Sequence, residues 1–582
     1  MMNIAHVRHM EGDNHLTLDI IWNNEKKHLY RDLSENLNQL LSRIRLFAVN
    51  EEKQEDAHAD DTASIRQEKS TNRSDRIAVS FLREDKSELG GDNLLVEDVL
   101  KYSSFLRLGK VDYVVVKNQP RILSLSTLEP AMVGVPIVPI VNLEFCTLQD
   151  CEWVWMRKDG FDDYASECSQ SLVYVPNEDD LGSRLILNCA VSLRPGQHYL
   201  QEKYAYQTSA VGAGPNRDVF LPRKRLGCEQ KPTSSIRVMS YNILYSGYTT
   251  KVPGHVSVFP YTAPSALNEE YRLQLVILEI QEMCPDLVCL QEVGTDTYHT
   301  ILLPVFEFRG YLGTFAEKTG STREGCAIFV KKNRFKIVES HVVNISASLT
   351  NPSQFSVLNV LQMYPEVAKC VQRAPSVAQV LLLQSIEQSA SQKSKYLVVS
   401  NTHLFYRDDA HMCRLLQTLP IVHKIEEIIQ SERFENELIG VVMTGDYNTL
   451  PATAPISFLL SGTINQSHRD WKSAKYFRWK QKKGDKRKDW SNLNGKRSWK
   501  PTFSHSLELA SACGYPEFTN YVQNFNGTLD YILISKKTLQ VVQTFPMFTK
   551  EQVTSEVALP SSTFPSDHVS LLVDVSFYET TA

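Results

Sequence analysis

The chain has 582 residues and a formal net charge of −5, with 42% hydrophobic and 22% charged residues. This composition is that of an ordinary globular protein and excludes a chain-wide attraction for nucleic acid, so any affinity for polyanions must be local. The length exceeds one ordinary domain and predicts at least two hydrophobic cores.

The first 50 residues predict a small unit of a strand and a helix. Residues 16–22 alternate apolar and polar side chains, and residues 33–49 carry apolar side chains at helical spacing. The N-terminus has one early arginine and soon reaches Glu11 and Asp13, so no targeting presequence is visible. Residues 51–76 are almost all charged or polar, which predicts a disordered insertion.

Residues 77–230 predict a β-rich accessory domain. Short runs rich in β-branched residues are separated by turn signals, which favours a β-sandwich-like fold. The predicted strands are residues 77–82, 111–116, 137–145, 172–175 and 185–191.

The eleven cysteines of the chain are odd in number and include no Cys-x-x-Cys pair, so we expect free, mostly buried thiols in a reducing compartment.

From residue 236 the pattern changes to strands that alternate with helices, which predicts an α/β layered domain over residues 231–582. The predicted strands are residues 237–241, 287–290, 326–330, 396–400 and 441–443, and the predicted helices are residues 268–283, 410–429 and 454–460. Residues 472–500 form a basic insertion with three tryptophans. Such a segment either follows an RNA backbone or is a solvated surface loop.

No apolar stretch reaches the roughly 18 residues that span a bilayer, and we expect no membrane insertion.

Polar side chains follow the ends of several predicted strands in this domain, where they converge on one edge of a sheet. Each motif alone is weak, since Gln-Glu often marks only the point where a strand meets water and Gly-Asp-x-Asn is a common turn. The ordered set nevertheless predicts one shared site. Its members are Asn242, Glu292, Asn401, His403, Asp446, Asn448, Asp530, Asp567 and His568.

The residue types fit phosphodiester hydrolysis. Glu292 suits a Mg²⁺ ion, with Mn²⁺ as an alternative, because hard cations take carboxylate and amide oxygens. Asp446 is our candidate for orienting and deprotonating the attacking water, and Asn448 is a neutral partner on the metal. His568 could stabilise charge on the phosphoryl group if Asp530 fixes its tautomer.

The same ordered set resembles the exonuclease-endonuclease-phosphatase superfamily. The resemblance implies two packed mixed sheets flanked by helices, a four-layer α/β sandwich. Narrower motifs resemble the branch of deadenylases, nocturnin and Angel proteins, at residues 237–244, 259–264, 271–272, 324–325 and 518–521. The likeness continues into the accessory region at residues 30–35, 41–44, 143–145 and 180–185.

This resemblance implies a hydrolase, a Mg²⁺-dependent 3′-exoribonuclease that releases 5′-AMP from 2′,5′-oligoadenylates and from poly(A) tails. It places Glu292, Asp446 and Asn448 at the metal and Asp446, His568, Asp530 and His403 in catalysis. The implied substrate contacts are Asn242, Asn401, Asn520, Phe525 and Asp567, with Phe525 stacking on adenine. RNA is the expected partner and no protein partner is inferred. The implied location is the mitochondrial matrix, with the cytoplasm as the alternative.

Two other functions were weighed. An inositol-phosphate or lipid phosphatase of the same superfamily is disfavoured because no tryptophan precedes Gly445 and no arginine follows Asn448 closely. A non-catalytic RNA-binding scaffold is disfavoured because every polar group of the set is retained. One departure from related enzymes concerns base choice, since the segment after His403 lacks the proline that they place beside the base.

Overall fold

The computed structural model describes residues 3–22, 25–46, 48, 77–160, 164–192, 201–229, 231–250, 257–351, 355–387, 394–435, 437–480, 488–489, 491 and 501–578. The predicted disordered insertion 51–76 and most of the basic insertion after residue 480 lie outside these ranges. The predictions made for those two segments therefore stay predictions.

The N-terminal part of the chain forms a mixed six-stranded sheet covered by two helices. Its strands are β1 (Ile4–Arg8), β2 (His15–Trp22), β3 (Glu25–Asp32), β4 (Val79–Leu82), β5 (Phe105–Leu108) and β6 (Val111–Lys117), and its helices are α1 (37–46) and α2 (Val96–Tyr102). The strand order is β3-β2-β1-β6-β5-β4, with β1 and β6 parallel. Leu40 and Val99 from the helices pack on Leu18 and Leu106 from the sheet.

The prediction of one β-sandwich over residues 77–230 is therefore wrong for its first forty residues. Strands β4 to β6 pair with the N-terminal strands instead, so residues 3–48 and 77–117 are one folding unit. Alternating hydrophobicity shows that a segment is a strand but not which strand it pairs with, and the pairing is decided by packing.

The second accessory unit is a small sandwich. Its strands are β7 (Arg121–Ser126), β8 (Ile140–Glu144), β9 (Cys151–Lys158), β10 (Ala165–Ser169), β11 (Arg184–Val191) and β12 (Lys203–Ala210). A β10-β9-β11-β12 sheet buries Trp155 and Leu187 against Ile122 of the β7-β8 pair. The predicted strand 172–175 is wrong, because only an isolated bridge joins Tyr174 to Ile137.

The remaining strands and helices build the larger domain. Its strands are β13 (Ser235–Asn242), β14 (Leu287–Gly294), β15 (Tyr311–Glu317), β16 (Glu324–Lys331), β17 (Phe335–Asn344), β18 (Val377–Ser385), β19 (Lys395–His403), β20 (Leu438–Asp446), β21 (Thr463–Asn465), β22 (Thr502–Ser504), β23 (Leu509–Ser511), β24 (Asn520–Val522), β25 (Phe525–Gly527), β26 (Asp530–Ser535), β27 (Leu539–Thr544) and β28 (Leu571–Phe577). Its helices are α3 (Leu221–Cys228), α4 (Ser246–Thr249), α5 (Pro264–Leu267), α6 (Glu269–Met283), α7 (Thr295–Thr297), α8 (Leu303–Phe308), α9 (Ile345–Leu349), α10 (Phe355–Met363), α11 (Pro365–Arg373), α12 (His411–Ile429), α13 (Ala454–Ser461), α14 (Asp470–Ala474) and α15 (Lys550–Val553). A π-helical turn, Tyr298–Leu302, joins α7 to α8.

Two mixed six-stranded sheets pack face to face in this domain. Their orders are β15-β16-β14-β13-β28-β27 and β17-β18-β19-β20-β26-β23. Apolar side chains from both sheets fill the interface, among them Val238, Cys289, Val573, Leu381, Val399 and Val442. The outer faces pack against helices, chiefly α6 on the first sheet and α12 on the second. The predicted four-layer α/β sandwich is confirmed.

The accessory region is joined to this domain through a shared core. Leu128, Met132 and Val135 belong to the apolar cluster that also contains Leu275 of α6. The backbone N–H of Glu129 donates to a carboxylate oxygen of Glu270, 2.9 Å away. Six of the eleven free cysteines are buried, three are half-buried, and Cys228 and Cys284 are exposed. No helix in the described part of the chain is long and apolar enough to cross a membrane.

Candidate active site

Five strands deliver polar side chains to one edge of the sandwich. Asn242 ends β13, His403 ends β19 and Asp446 ends β20, while Glu292 lies near the end of β14. Asp530 begins β26, which runs antiparallel to β20 and pairs Asp530 with Asp446. The β13–β14 and β19–β20 pairs are parallel, so the carboxyl ends of these strands meet across the two sheets.

Asn242 holds two carboxylates together across the sheets. Its Nδ2 donates to Glu292 Oε1 at 3.0 Å and to Asp446 Oδ2 at 3.1 Å, and its Oδ1 accepts from the Leu244 N–H at 3.0 Å. The Tyr245 N–H donates to the second oxygen of Glu292 at 2.9 Å. Asn242 is fully buried and positions the carboxylate pair, while its predicted contact with substrate stays a prediction.

Backbone geometry aims two of the three metal candidates, Glu292 and Asn448, into the site. Glu292 has φ +56° and Asn448 has φ +50°, in the left-handed region that non-glycine residues rarely occupy. Glu292 lies where the β14–β16 register shifts between Leu290 and Val293. A bulge of this kind redirects a side chain at the end of a strand, and such strain is concentrated at functional sites.

His568 faces the carboxylate pair from the loop before β28. Its Nδ1 lies 2.8 Å from Asp530 Oδ2, and its Nε2 lies 3.6 Å from Asp446 Oδ2. Burial opposes protonation of the ring, but Asp530 and Asp567 outweigh burial and raise the pKa of His568 well above its usual value. The ring is therefore an imidazolium whose Nε2–H points toward Asp446.

His403 approaches from the opposite side and has the opposite charge state. Its Nε2 lies 3.6 Å from Asp446 Oδ2 and 3.9 Å from Glu292 Oε1. Burial and the ammonium of Lys318 hold the pKa of His403 well below its usual value. Lys318 Nζ lies 3.0 Å from Nδ1, and an ammonium can only donate. The neutral ring therefore carries its proton on Nε2, facing the carboxylates.

Lys318 is a site residue that the sequence reasoning missed. Its Nζ also donates to Glu324 Oε1 at 2.9 Å, and the Tyr248 hydroxyl donates to the same oxygen at 2.7 Å. Lys318 follows β15, a strand that was not predicted. Glu324 was noticed only as part of a family motif. Lys318 contacts Glu324 across the β15–β16 hairpin and His403 at the end of β19. Neither contact leaves a pattern in the sequence.

Arg272 is a second residue whose role only the structure shows. Its guanidinium is buried and donates to the carbonyls of Ile243, Leu244 and Pro565 at 3.0–3.1 Å. Two of these carbonyls follow Asn242 and the third precedes the Ser566-Asp567-His568 segment. Arg272 thus fixes the two loops that carry Asn242 and His568, and its appearance in a sequence motif was the available signal.

The predicted substrate contacts divide into two groups. Asn401 is fully buried between the sheets, where its amide donates to the carbonyls of Leu290 and Ala327 and accepts from Gln291. These bonds hold the amide inside the sandwich, and its predicted contact with substrate stays a prediction. Asn520 donates to Asp567 Oδ2 at 3.2 Å, which places both beside His568.

Phe525 lies half-buried at the rim of the site. A Cβ atom at Gly527 would lie 3.3 Å from its ring and 2.8 Å from the side chain of Leu450. The ring therefore covers Gly527 next to Leu450, two residues after Asn448. The position is compatible with the stacking role predicted from the resemblance, which stays a prediction.

Comparison with known proteins identifies the family. Residues 239–568, more than half of the chain, match the model of the endonuclease/exonuclease/phosphatase family. The chain belongs to this family. It is 30% identical to Homo sapiens 2′,5′-phosphodiesterase 12 over 586 residues, which cover 95% of this chain and 90% of that protein. It is 27% identical to Danio rerio CCR4-NOT transcription complex subunit 6-like, over 70% of this chain and 72% of that protein.

Among solved structures, ANGEL2, a 2′,3′-cyclic phosphatase, aligns with a TM-score of 0.47 at 23% identity, over 59% of this chain and 96% of that one. The recognition made from sequence motifs is confirmed by the family match and the full-length relative. This member of the endonuclease/exonuclease/phosphatase family is a hydrolase of phosphodiester bonds, as its phosphodiesterase and nuclease relatives indicate.

The donor set of this family member fits a divalent cation. Glu292 Oε1 and Asp446 Oδ2 both accept from the Asn242 amide, and candidate atoms of Asp446, Asp530 and His568 lie within 4.8 Å of one another. The protonated His568 ring has no lone pair for a cation, so the carboxylates are the ligands of this group. Burial and the nearby Glu324 raise the pKa of Glu292 to about 7. Burial and Asp530 raise the pKa of Asp446 to about 7. Crowded buried carboxylates of this kind are stabilised by a bound cation.

The position of Asp446 also depends on the glycine before it. Gly445 has φ +142°, and a Cβ atom there would lie 2.1 Å from the Thr402 carbonyl oxygen. We expect Gly445→Ala to lower the thermal midpoint by several degrees, roughly the effect of 1–3 kcal/mol of strain, and to lower kcat by displacing Asp446. Calorimetry and initial rates test this.

The matched control is Gly90→Ala, because a Cβ at Gly90 meets nothing within 4 Å and its φ is not positive. An alanine at residue 445 that left both the midpoint and kcat unchanged would contradict the strand contact described for Gly445.

Proposed function

We propose that the chain is a Mg²⁺-dependent 3′-exoribonuclease that removes adenylate residues as 5′-AMP from 2′,5′-linked oligoadenylates and from poly(A). The observation that carries this proposal is the Glu292–Asp446 pair, held by Asn242 and faced by two buried histidines whose Nε2 atoms each lie 3.6 Å from Asp446 Oδ2. The full-length similarity to a 2′,5′-phosphodiesterase supports the linkage.

Glu292, Asp446 and Asn448 would hold the cation. The Asn448 N–H donates to Asp446 Oδ1 at 2.8 Å and its Nδ2 donates to the Leu404 carbonyl at 3.0 Å, and its amide oxygen accepts no hydrogen bond from the described residues. When bound, the cation supplies charge neutralisation at a non-bridging phosphate oxygen.

Side chains of the protein activate the water and stabilise the charge on the phosphoryl group. Asp446 orients the attacking water and accepts its proton, with one carboxylate oxygen 3.6 Å from each histidine Nε2. The His568 imidazolium donates from Nε2 to the phosphoryl oxygens as charge develops on them, and Asp530 stabilises that imidazolium. Neutral His403 donates a second hydrogen bond from Nε2.

We assign adenine recognition to Phe525 and Leu450. Phe525 presents an aromatic ring and Leu450, 43% exposed, presents an apolar side chain beside it. Stacking of a base on an aromatic ring contributes about 1–3 kcal/mol. We assign the contact with the terminal ribose to Asn520 and Asp567, which are paired next to His568.

A mitochondrial matrix location is also proposed, on the resemblance alone, and imaging of the tagged full-length protein tests it.

The test is product analysis with Mg²⁺ on three substrates of equal length: 2′,5′-linked oligoadenylate, a 3′,5′-linked A-tract and a mixed-sequence RNA. Release of 5′-AMP from both adenylates with the mixed sequence spared is expected. Cleavage of the A-tract alone would reduce the proposal to a deadenylase. Inactivity on all three, with RNA bound intact, would favour the scaffold, and release of phosphate from inositol phosphates would favour the phosphatase.

The metal requirement predicts a stability signature. The carboxyls of Glu292 and Asp446 have pKa values raised to about 7 in the folded protein, so the folded state binds protons more tightly than the unfolded state. In EDTA the free energy of unfolding should therefore fall as pH rises from about 4 to about 7. Mg²⁺ should restore stability at pH 7 or above. Urea titrations at several pH values measure this.

The control for that experiment is Glu292→Gln, which should flatten the decline in EDTA and weaken the response to Mg²⁺ at the same time. A wild-type protein whose stability is indifferent to Mg²⁺ at pH 8 would contradict the assigned metal site.

A further inference from the structure

A basic strip lies on the surface of the larger domain, formed by Arg469, Lys472, Lys475, Tyr476 and Lys480. On the inner side of the same segment, Trp471, Ala474 and Phe477 are buried in the main apolar cluster. These buried residues recur every third position, so α14 and the residues after it are fixed with their cations facing outward. Lys472, Tyr476 and Lys480 are exposed.

The lysines of the basic strip form no ion pair with a described carboxylate, and the exposed Asp489 interacts electrostatically with Lys475. Within the described residues no carboxylate lies within 4.0 Å of the amino group of Lys472, Lys475 or Lys480. The one acid between residues 466 and 480 is Asp470. It is buried, and its Oδ2 accepts from the Ala454 N–H at 2.7 Å. A cluster of outward cations that outnumber the nearby acids attracts a polyanion, although the chain as a whole is acidic.

The basic strip adjoins the loop that leaves the active site. Arg407, four residues after His403, donates from Nη1 to the Arg478 carbonyl at 2.8 Å and to the Trp479 carbonyl at 2.7 Å. The rings of Phe405 and Trp479 have centroids 5.5 Å apart. The strip and the His403 loop therefore form one continuous surface.

The loop presents an aromatic side chain on a rigid backbone. The buried guanidinium of Arg414 donates to the carbonyls of Phe405, Arg407 and Asp408. The Phe405 N–H donates to the Gln417 side chain at 3.1 Å. Tyr406 nevertheless remains 70% exposed. Arg407 is paired with Asp409, so the cations available to a ligand on this surface are the strip lysines. An ordered loop that exposes a large ring on a surface continuous with cations matches the stacking surfaces that bind single strands.

We propose that the basic strip, together with Tyr406, binds the single-stranded RNA upstream of the nucleotide being removed. The lysines contact the phosphates, and Tyr406, which is 70% exposed, stacks on a base without selecting sequence. This inference rests on the proposed function, since it supplies the path that a polymeric substrate follows away from the carboxylate pair. It predicts that substrate length matters to this enzyme.

The test compares the wild type with a triple variant, Lys472→Gln, Lys475→Gln and Lys480→Gln. Binding is measured by fluorescence anisotropy on a labelled A-tract of about twenty nucleotides, longer than the roughly 4–16 nucleotides that single-strand surfaces cover. Both proteins carry Asp446→Asn to prevent cleavage. The triple variant should bind at least about tenfold more weakly. Its slope of log K against log salt should be smaller by about 2, since each single-strand phosphate contact contributes about 0.7.

The matched control neutralises three exposed lysines on other surfaces, Lys110, Lys203 and Lys336, and should change neither affinity nor slope. In the active enzyme the strip variant should lose kcat/KM on the A-tract but keep the wild-type value on 2′,5′-diadenylate, which ends within the carboxylate site.

Equal affinity of the strip variant and the wild type would overturn the inference. So would an equal loss of kcat/KM on both substrates, because that pattern indicates damage to the site. Preferential binding of a polyglutamate peptide over the A-tract would replace RNA with an acidic protein partner. If the wild type hydrolyses neither adenylate, the proposed function fails, and the anisotropy result alone decides the RNA surface.

Discussion

Asp446→Asn is expected to lower kcat by at least about 10³-fold, because it removes both a cation ligand and the acceptor of the proton from water. Single-turnover rates on 2′,5′-oligoadenylate measure this. The amide has nearly the shape of the carboxylate, but both oxygens of Asp446 accept hydrogen bonds, from the Asn448 N–H and the Asn242 amide, so the amide NH2 loses one of these two bonds.

The same substitution should stabilise the metal-free protein. Burial and Asp530 raise the pKa of Asp446 to about 7, so its charge destabilises the folded state at neutral pH, and the neutral amide removes that cost. In EDTA at pH 8 the variant should unfold at a higher temperature than the wild type, and the difference should vanish near pH 4. Asp179→Asn, on an exposed accessory turn, is the control. Loss of stability in the variant would indicate that Asp446 is structural.

His568→Gln is expected to lower kcat by about 10²–10⁴-fold, the usual contribution of a positioned proton donor. Asp530→Asn should cost less, about 10–100-fold, because Asp530 acts through the ring by holding Nδ1 at 2.8 Å. It should also shift the alkaline limb of the pH–rate profile to lower pH, since Asp530 keeps His568 protonated.

The double variant distinguishes a positioning role from an independent one. If Asp530 acts only through His568, adding Asp530→Asn to His568→Gln should cause no further loss of kcat. His28→Gln, at an exposed histidine on β3 of the accessory region, should leave kcat unchanged. Additive losses would show that Asp530 contacts the reacting groups directly, as a cation ligand would.

The sequence by itself determined the layered α/β fold, the catalytic strands and most of the site. An apolar run such as residues 287–290 is buried on both faces wherever it is placed, so a carboxylate directly after it must lie at a sheet edge. Glu292, Asp446, Asp530 and His568 all follow or precede such runs, and the structure brings these four together.

Only the tertiary structure decided the partners of each side chain. Asn242 and Asn401 both lie at or near the ends of buried strands. Asn242 joins two carboxylates, whereas the Asn401 amide is hydrogen-bonded to backbone carbonyls between the sheets. Lys318 and Arg272 act through groups tens to hundreds of residues away. The division of the accessory strands between two units likewise depends on packing between segments that are distant in sequence. Periodicity reports whether a side chain is buried, whereas its contacts depend on which distant segments pack against it.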